Sequence, residues 1–475
     1  MGAIKIKQLT FAYDGFDPIF KDVSLTLDTS WKLALVGRNG SGKTTLFKLL
    51  LGQEDYLGQI HSDQDFAYFP QNIKDQEQLL IYSLQEQFVF EEWKLKRELS
   101  LLHVSEDIIW RPFNQLSGGE QTKVLLALCF IDERFSLLDE PTNHLDQASR
   151  KQIAEYLKQK KGYIITSHDR DFIDQVSDHV LAIDQRQIWL SHGNYSTYRH
   201  ERDLQDQAAS NEQQKLQREI KHLAADKEHK QQWAGQAEKG KRRSQPGEKI
   251  DKGFVSHKAS KVMKRAISAQ KRMAEKLADK SALIKPVALP ADLTMHYQAS
   301  HRKLLLSSEN PKFELNQGER LAIVGPNGCG KSQLLKRIAL GEGVASGVKV
   351  SYLPQIITPE AVSLEEFITK HKLDRSQYLN LLRKLGVERA VFTERLDQLS
   401  SGQLRKVWLA KSLLEPAELY LWDEPSNYLD IENQDQLIKL IKNVQPSLLL
   451  VEHDQYILDS LAIPRLNLAA GNVAD

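Results

Sequence analysis

Two eight-residue stretches carry the spacing of a phosphate cradle: GRNGSGKT from Gly37 to Thr44, and GPNGCGKS from Gly325 to Ser332. Glycines in such a loop let backbone N–H groups close around phosphate oxygens, and the following helix adds the positive end of its dipole. Lys43 and Lys331 are placed to reach β- and γ-phosphates, and the hydroxyls of Thr44 and Ser332 to hold Mg²⁺. The candidate cradles comprise Gly37, Asn39, Gly40, Ser41, Gly42, Lys43, Thr44 and Thr45, and Gly325, Asn327, Gly328, Cys329, Gly330, Lys331, Ser332 and Gln333. A second constellation is acidic. SLLDE (136–140) and LYLWDE (419–424) are apolar runs ending in paired carboxylates. Asp139 and Asp423 fit a Mg²⁺-holding role. Glu140 and Glu424, one residue on, point elsewhere and are candidate general bases for an attacking water.

The elements that must position these groups are legible around them. WKLALVG (31–37) reads as a short buried strand, and LFKLLLG after the loop reads as a helix. Strand, glycine loop and helix in that order distinguish a nucleotide loop from a chance string. YIITS and SLLLVE are further strand-type runs, each leading to a histidine, His168 and His453. LSGGE (116–120) and LSSGQ (399–403) precede helical runs and form a second kind of anion-binding helix start, around Ser117, Gly118 and Gly119, and Ser400, Ser401 and Gly402.

All of these motifs occur twice. From the first copy to the second, the phosphate loops are offset by 288 positions, YFPQ and YLPQ by 284, and the LSGGE-type motifs by 283. LLDEPTNHLD and LWDEPSNYLD are offset by 284, and SHD and EHD by 285. A near-constant offset means one module of roughly 200 residues used twice. Neither copy can supply both a phosphate loop and an LSGG helix to the same nucleotide, so the two are expected to face each other head to tail. Lys43 then pairs with Ser400, and Lys331 with Ser117.

The 475-residue chain carries a formal net charge of +1, but the charge is polarised. Between Lys239 and Arg272 there are twelve Lys or Arg against Glu248 and Asp251. A basic patch of this kind is the footprint of a surface that meets phosphate. No stretch approaches eighteen apolar residues, which excludes a membrane span on sequence grounds. The opening MGAIKIKQLTFAYDG lacks a signal-peptide core. Cys129 and Cys329 are the only cysteines, too few for a disulfide framework or a zinc site. A cytoplasmic protein is expected.

The duplicated set resembles the ATP-binding cassette family over about residues 1–195 and 290–475. The resemblance implies an α/β fold with two P-loop nucleotide-binding domains, Mg-ATP as cofactor, and hydrolysis at two composite sites. It implies that His168 and His453 sense the γ-phosphate and that Gln71 and Gln355 contact nucleotide and Mg²⁺. Tyr13 and Tyr297, 24 and 28 residues before their loops, are implied to stack on adenine. Two departures stand in the second copy: Ser401 replaces the first glycine of LSGGQ, and Tyr428 stands where the first copy has His144. They predict slower hydrolysis at the Lys43 site.

Between the cassettes, residues 199–285 show narrow apolar seams, Leu216, Ile220 and Leu223 on one arm and Met263, Ile267, Ala274 and Leu277 on the other. These predict an antiparallel coiled-coil hairpin whose turn is marked by Gly240, Pro246-Gly247 and Gly253. The expected division is 1–198, 199–285 and 286–475. Tandem cassettes, GNYSTY (193–198) leading into a charged linker, and DEPTNHLD together resemble the ABC-F proteins. That resemblance implies a cytoplasmic monomer with intramolecular cassette pairing and no transmembrane subunit, acting on the ribosome. Its linker would meet rRNA and P-site tRNA through Lys241, Arg242, Arg243, Lys249 and Lys252. Equal spacing from Gln71 to Leu116 and from Gln355 to Leu399, 45 and 44 positions, leaves no inserted arm, as in members that protect ribosomes from antibiotics. The competing reading is the fused energy module of a membrane transporter.

Overall fold

The computed structural model describes residues 2–208 except 144 and 185, isolated positions up to 218, and residues 292–468 except 327. The chain forms two compact units, one of Met1–Tyr198 with Pro290–Asp475 and one of Arg199–Leu289. In the second unit residues 199–208 are helical, with Arg199–Asp203 and Arg202–Asp206 pairs at 3.2 and 3.6 Å one turn apart. Beyond residue 208, isolated positions apart, the predicted hairpin lies outside the described residues, as do the five basic residues expected to bind RNA.

The first unit is α/β, with the cassette architecture twice. Leu33–Val36 and Tyr163–Thr166 are buried at every position, as expected of strands in a parallel sheet covered by helices on both faces. In the first copy the strands lie in the order Phe66–Phe69, Phe135–Asp139, Tyr163–Thr166, Lys32–Gly37, His179–Asp184, Gln187–His192. All neighbours are parallel except the last pair. The second copy repeats the order with Val350–Leu353, Leu419–Asp423, Leu448–Val451, Arg320–Val324 and Arg465–Asn467, all parallel. In each copy the glycine loop, the acid pair and the histidine therefore emerge at the same carboxyl edge of the sheet, where open α/β sheets place their ligands. Antiparallel strands flank each sheet: Ala3–Phe11 with Phe20–Asp28 and Leu57–Ser62, and Leu304–Glu309 with Lys312–Asn316.

Both LSGG-type motifs start helices, Gly118–Cys129 and Ser401–Leu414, and both starts are closed by a capping box. Ser117 Oγ accepts from the Glu120 N–H at 3.3 Å, and Glu120 accepts from the Ser117 N–H at 2.8 Å. Ser400 and Gln403 repeat this exchange. Each box satisfies two of the four otherwise orphaned N–H groups of the first turn.

Helix Glu92–Leu101, in the block that carries the first LSGG helix, is tied to the core by a buried charge. Glu98 is fully buried and accepts from Tyr156 Oη at 2.7 Å and Arg97 Nη2 at 2.8 Å, and it pairs with Lys160 Nζ. Tyr156 and Lys160 lie on and just beyond helix Gln147–Gln159. Glu98→Ala would leave Lys160 and the Tyr156 hydroxyl without their shared acceptor. It is expected to cost about 3–5 kcal/mol, read as a lower denaturant midpoint at unchanged slope.

Candidate active site

The first phosphate loop can be built only with glycine at its end. Gly42 has φ +100°, and a Cβ there would stand 2.4 Å from Ile19 Cγ2. Gly330 takes the same left-handed conformation at the start of helix Lys331–Ala339. The two lysines are held alike: Lys43 Nζ donates to the carbonyls of Gly37 and Arg38 at 2.8 and 3.2 Å, and Lys331 Nζ to those of Gly325 and Pro326 at 2.9 and 2.8 Å. Burial pushes the Lys43 pKa down, while Glu140, Asp430 and Asp139 pull it back up. Ser41 Oγ is buried without a hydrogen-bond partner, which suits a loop built to enclose anionic oxygens. Thr45 is buried and Gln333 exposed; Asn327 is outside the described residues.

Both general-base candidates take a conformation rare for their residue type. Glu140 has φ +54° and Glu424 φ +52°, strain of the kind stored at functional sites. Each faces its own copy's histidine: His168 Nε2 is 3.2 Å from Glu140 Oε1, and His453 Nε2 is 3.3 Å from Glu424 Oε1. Burial, with Lys43 and Lys406 nearby and Asp430 opposing them, pushes His168 down to about 3.

Beyond this shared frame the copies differ. Asp139 accepts from Thr44 Oγ1 at 2.8 Å and Thr166 Oγ1 at 2.7 Å, with Tyr68 Oη at 3.4 Å. Burial pushes Glu140 up to about 7. In the second copy Val451 stands where Thr166 does, and neither buried oxygen of Asp423 has a hydrogen-bond partner of good geometry. Burial pushes Asp423 up to about 6, against the pull of the nearby Ser332 hydroxyl. Burial would also raise Glu424, but His453, Gln355 and Asn427 outweigh it and bring the carboxyl down to about 2. Asp423, Ser332 and Gln355 form a cluster of oxygen donors, the hard set a Mg²⁺ ion takes.

The two copies meet at the first loop. Asp430 Oδ2 accepts from the Asn39 N–H at 2.9 Å, the Asn39 side-chain amide donates to the Tyr428 carbonyl at 2.9 Å, and Arg38 pairs with Glu432 at 2.6 Å. Asp146, the counterpart of Asp430, feels the charge of His453 in the other copy. Burial opposes its ionisation, but the Ser149 N–H together with His453 and Lys123 keeps its carboxyl below the usual range. Ser401 is exposed at the first position of its helix. At Gly118, its counterpart, an added Cβ would have nothing within 4 Å. A side chain there therefore fits within its own cassette.

One expectation is corrected and one qualified. Tyr297 is not an adenine platform: its hydroxyl bonds Ser447 Oγ at 3.0 Å, and its ring packs 6.4 Å from that of Tyr420. Both neighbours lie at the amino ends of the strands, opposite the phosphate loop, and the half-buried ring packs against the core of the second copy. Gln71 does not reach Thr44 or Asp139; its amide donates to Cys129 Sγ at 3.0 Å, and its Oε1 is buried without a partner. Gln355, by contrast, accepts from Ser332 Oγ at 3.2 Å. Tyr13 is 38% exposed, in the turn leading to Ile19 beside Gly42. Cys129 and Cys329 are buried free thiols.

Sequence reasoning passed over Asp430 although it closes the repeated DEPSNYLD motif; its role arises only when the copies are paired. It also passed over Arg405, which has no counterpart in the first copy, where Thr122 stands. Arg405 is buried and donates to the carbonyls of Pro354, Asp423 and Glu424. It thereby ties the LSSG helix to the Gln355 loop and the acid pair.

The family model described as ABC transporter matches residues 20–143 and 308–427. The ribosome protection protein VmlR of Bacillus subtilis is 30% identical over 94% of this chain and 83% of its own length. The ATP-binding protein Uup of Caulobacter vibrioides is 27% identical over 94% of this chain and 74% of its own. The fold is also similar to that of the archaeal ribosome recycling factor aABCE1, solved with the stalk protein aP1, at TM-score 0.56 and 19% identity over 96% of this chain and 86% of that one.

Asp169 and Asp454, which follow the two histidines, cap helices Arg170–Val176 and Gln455–Leu461. Burial pushes Asp454 up to about 7, and the charges of Asp169 from the other copy and of Glu452 add to this, against Arg150 and the Ile457 N–H. The folded chain thus holds a proton that the unfolded chain releases near 3.8. Stability from this group is full below that pH and is lost as pH rises towards about 7. Asp454→Asn keeps the helix cap and is expected to flatten the decline, by up to about 4 kcal/mol, in unfolding followed from pH 4 to 8.

Proposed function

Because the chain belongs to the ABC-F family of tandem ATP-binding-cassette ATPases, we propose that it is an ATP-driven clamp that acts on the ribosome. The observation that carries the clamp is the second copy's Asp430 on the first copy's phosphate loop at Asn39. Each ATP lies between one copy's glycine loop and the other copy's LSGG helix, with Lys43 opposite Ser400 and Lys331 opposite Ser117. Glu140 and Glu424 each take a proton from the water that attacks the γ-phosphorus, releasing ADP and phosphate, and His168 and His453 hold those carboxylates in place. Thr44 with Asp139, and Ser332 with Asp423 and Gln355, are the residues that would hold Mg²⁺. When bound, the ion would neutralise charge on the β- and γ-phosphates.

The basic segment, Lys241, Arg242, Arg243, Lys249 and Lys252 included, is the part that meets rRNA and P-site tRNA near the peptidyl-transferase centre. Lys and Arg without stacking aromatics suit backbone contact with folded RNA. Support comes from the relative named as a ribosome protection protein, and protection from antibiotics is the role we favour. A cytoplasmic location and a monomer follow from this reading. Among the described residues no helix is long and apolar enough to cross a membrane. The energy-module reading leaves the basic segment without a task.

Glu140→Gln with Glu424→Gln is expected to lower steady-state ATP hydrolysis by about 10²–10⁴-fold while leaving ATP bound. Wild-type turnover in this double variant would remove both from the role of base. Neutralising Lys241, Arg242 and Arg243 together is expected to weaken ribosome co-sedimentation and to reduce the log–log salt slope by about 2–3. In a susceptible bacterium the wild-type chain should raise inhibitory concentrations of drugs acting near the peptidyl-transferase centre, and this triple variant should not.

A further inference from the structure

Arg170, two residues beyond His168, reaches out of the first copy. Its side chain is 7% exposed. Nη2 donates to the Ile431 carbonyl at 2.7 Å and pairs with Asp435 at 2.7 Å, and the guanidinium lies 4.3 Å over the Tyr456 ring. All three partners belong to the second copy. Ile431 is the residue directly after Asp430, and its side chain packs against a buried apolar cluster of the first copy that includes Ala34, Val36 and Ile173. Asp430 itself caps helix Ile431–Val444 through the Asn433 N–H at 2.9 Å. The first turn of that helix is therefore gripped at its backbone, at its side chain and at Asp435. The grip is one-sided. Gln455 occupies the position of Arg170 in the second copy; it approaches Gln147 of the first at 3.5 Å and otherwise faces Asp459 and Arg465 of its own copy.

We propose that Arg170 is a positioning residue for the Lys43 site: it holds Asp430 against the Asn39 N–H of the first phosphate loop, with no equal among the described residues at the Lys331 site. A guanidinium suits this task, because Nη2 carries two N–H groups, one for the Ile431 carbonyl and one for the Asp435 carboxylate, while the planar face lies on the Tyr456 ring. The helix that carries Arg170 also carries the loop of His168, so the residue that faces Glu140 and the residue that grips the other copy move as one short element. The inference rests on the clamp and on the roles of Glu140 and Glu424 given above.

The test uses the full chain with Glu140→Gln, which traps ATP at the Lys43 site, and with Glu424→Gln, which traps it at the Lys331 site. Arg170→Gln is added to each, and retention of radiolabelled ATP is followed after dilution into unlabelled nucleotide. Retention in the Glu140→Gln chain should shorten by about tenfold or more, and in the Glu424→Gln chain by less than about twofold. Arg170→Lys, which keeps the charge but not the planar face on Tyr456, should restore part of the loss, and Arg170→Asp with Asp435→Arg should restore more than either single change. Equal losses at both sites, or no loss at either, would overturn the assignment while leaving the clamp intact. Failure of the parental Glu140→Gln and Glu424→Gln chains to retain ATP would instead overturn the reading of the bases, and this inference with it.

Discussion

A buried ammonium must be paired, and the pairing of Lys43 crosses from one copy of the cassette to the other. Its charge is balanced by Asp139 and Glu140, at the carboxyl end of one strand of its own sheet, and by Asp430 from the second copy. Desolvating a lone charge costs several kcal/mol, so the second copy is part of the environment that keeps this lysine charged. The order of the strands serves this balance. Placing Lys32–Gly37 two positions from Phe135–Asp139 brings the lysine and its own acids to one edge of the sheet, and Asp430 of the second copy supplies the remaining carboxylate.

Within that frame one hydroxyl separates the two sites. Thr166 donates to Asp139 and accepts from the Glu140 N–H at 2.9 Å. Its counterpart Val451 can do neither, and only its carbonyl receives the Glu424 N–H, at 2.8 Å. In the first copy the aspartate is satisfied and burial falls on the glutamate. In the second the glutamate is satisfied and burial falls on the aspartate. Arg405, placed under the second acid pair, has Thr122 opposite it in the first copy, which bonds only the Gly118 carbonyl of its own helix. Besides Ser401 and Tyr428, from which unequal sites are expected, the copies therefore differ in the strands and helix beneath the loops.

The loops, the acid pairs and the histidines were legible in the sequence because each occurs twice at nearly the same offset and each follows a strand of readable pattern. Tyr297 misled because an aromatic at a plausible distance from a loop carries no mark of which way its segment turns the ring; the packing against Tyr420 and the bond to Ser447 decided it. Gln71 was correctly placed in its loop, but its direction is set by Cys129, 58 positions away. Arg170 and Asp430 were invisible for a different reason. Their partners lie 261 and 391 residues away, and no local pattern encodes a contact that exists only when two copies meet. The duplicated phosphate loops and LSGG-type helix starts suggested the head-to-tail pairing in outline, without the residues that make the contact.

The central claim is that the second copy closes directly on the first phosphate loop, and Arg38 and Glu432, paired at 2.6 Å, are exposed enough to test it. Cysteines replacing both can be joined by a short bifunctional thiol reagent in the full chain, since Cys129 and Cys329 are buried. The account predicts an intrachain cross-link, seen as a mobility shift, that forms faster with Mg-ATP in the Glu140→Gln, Glu424→Gln chain. A pair that never cross-links, or that cross-links only between chains, would contradict it.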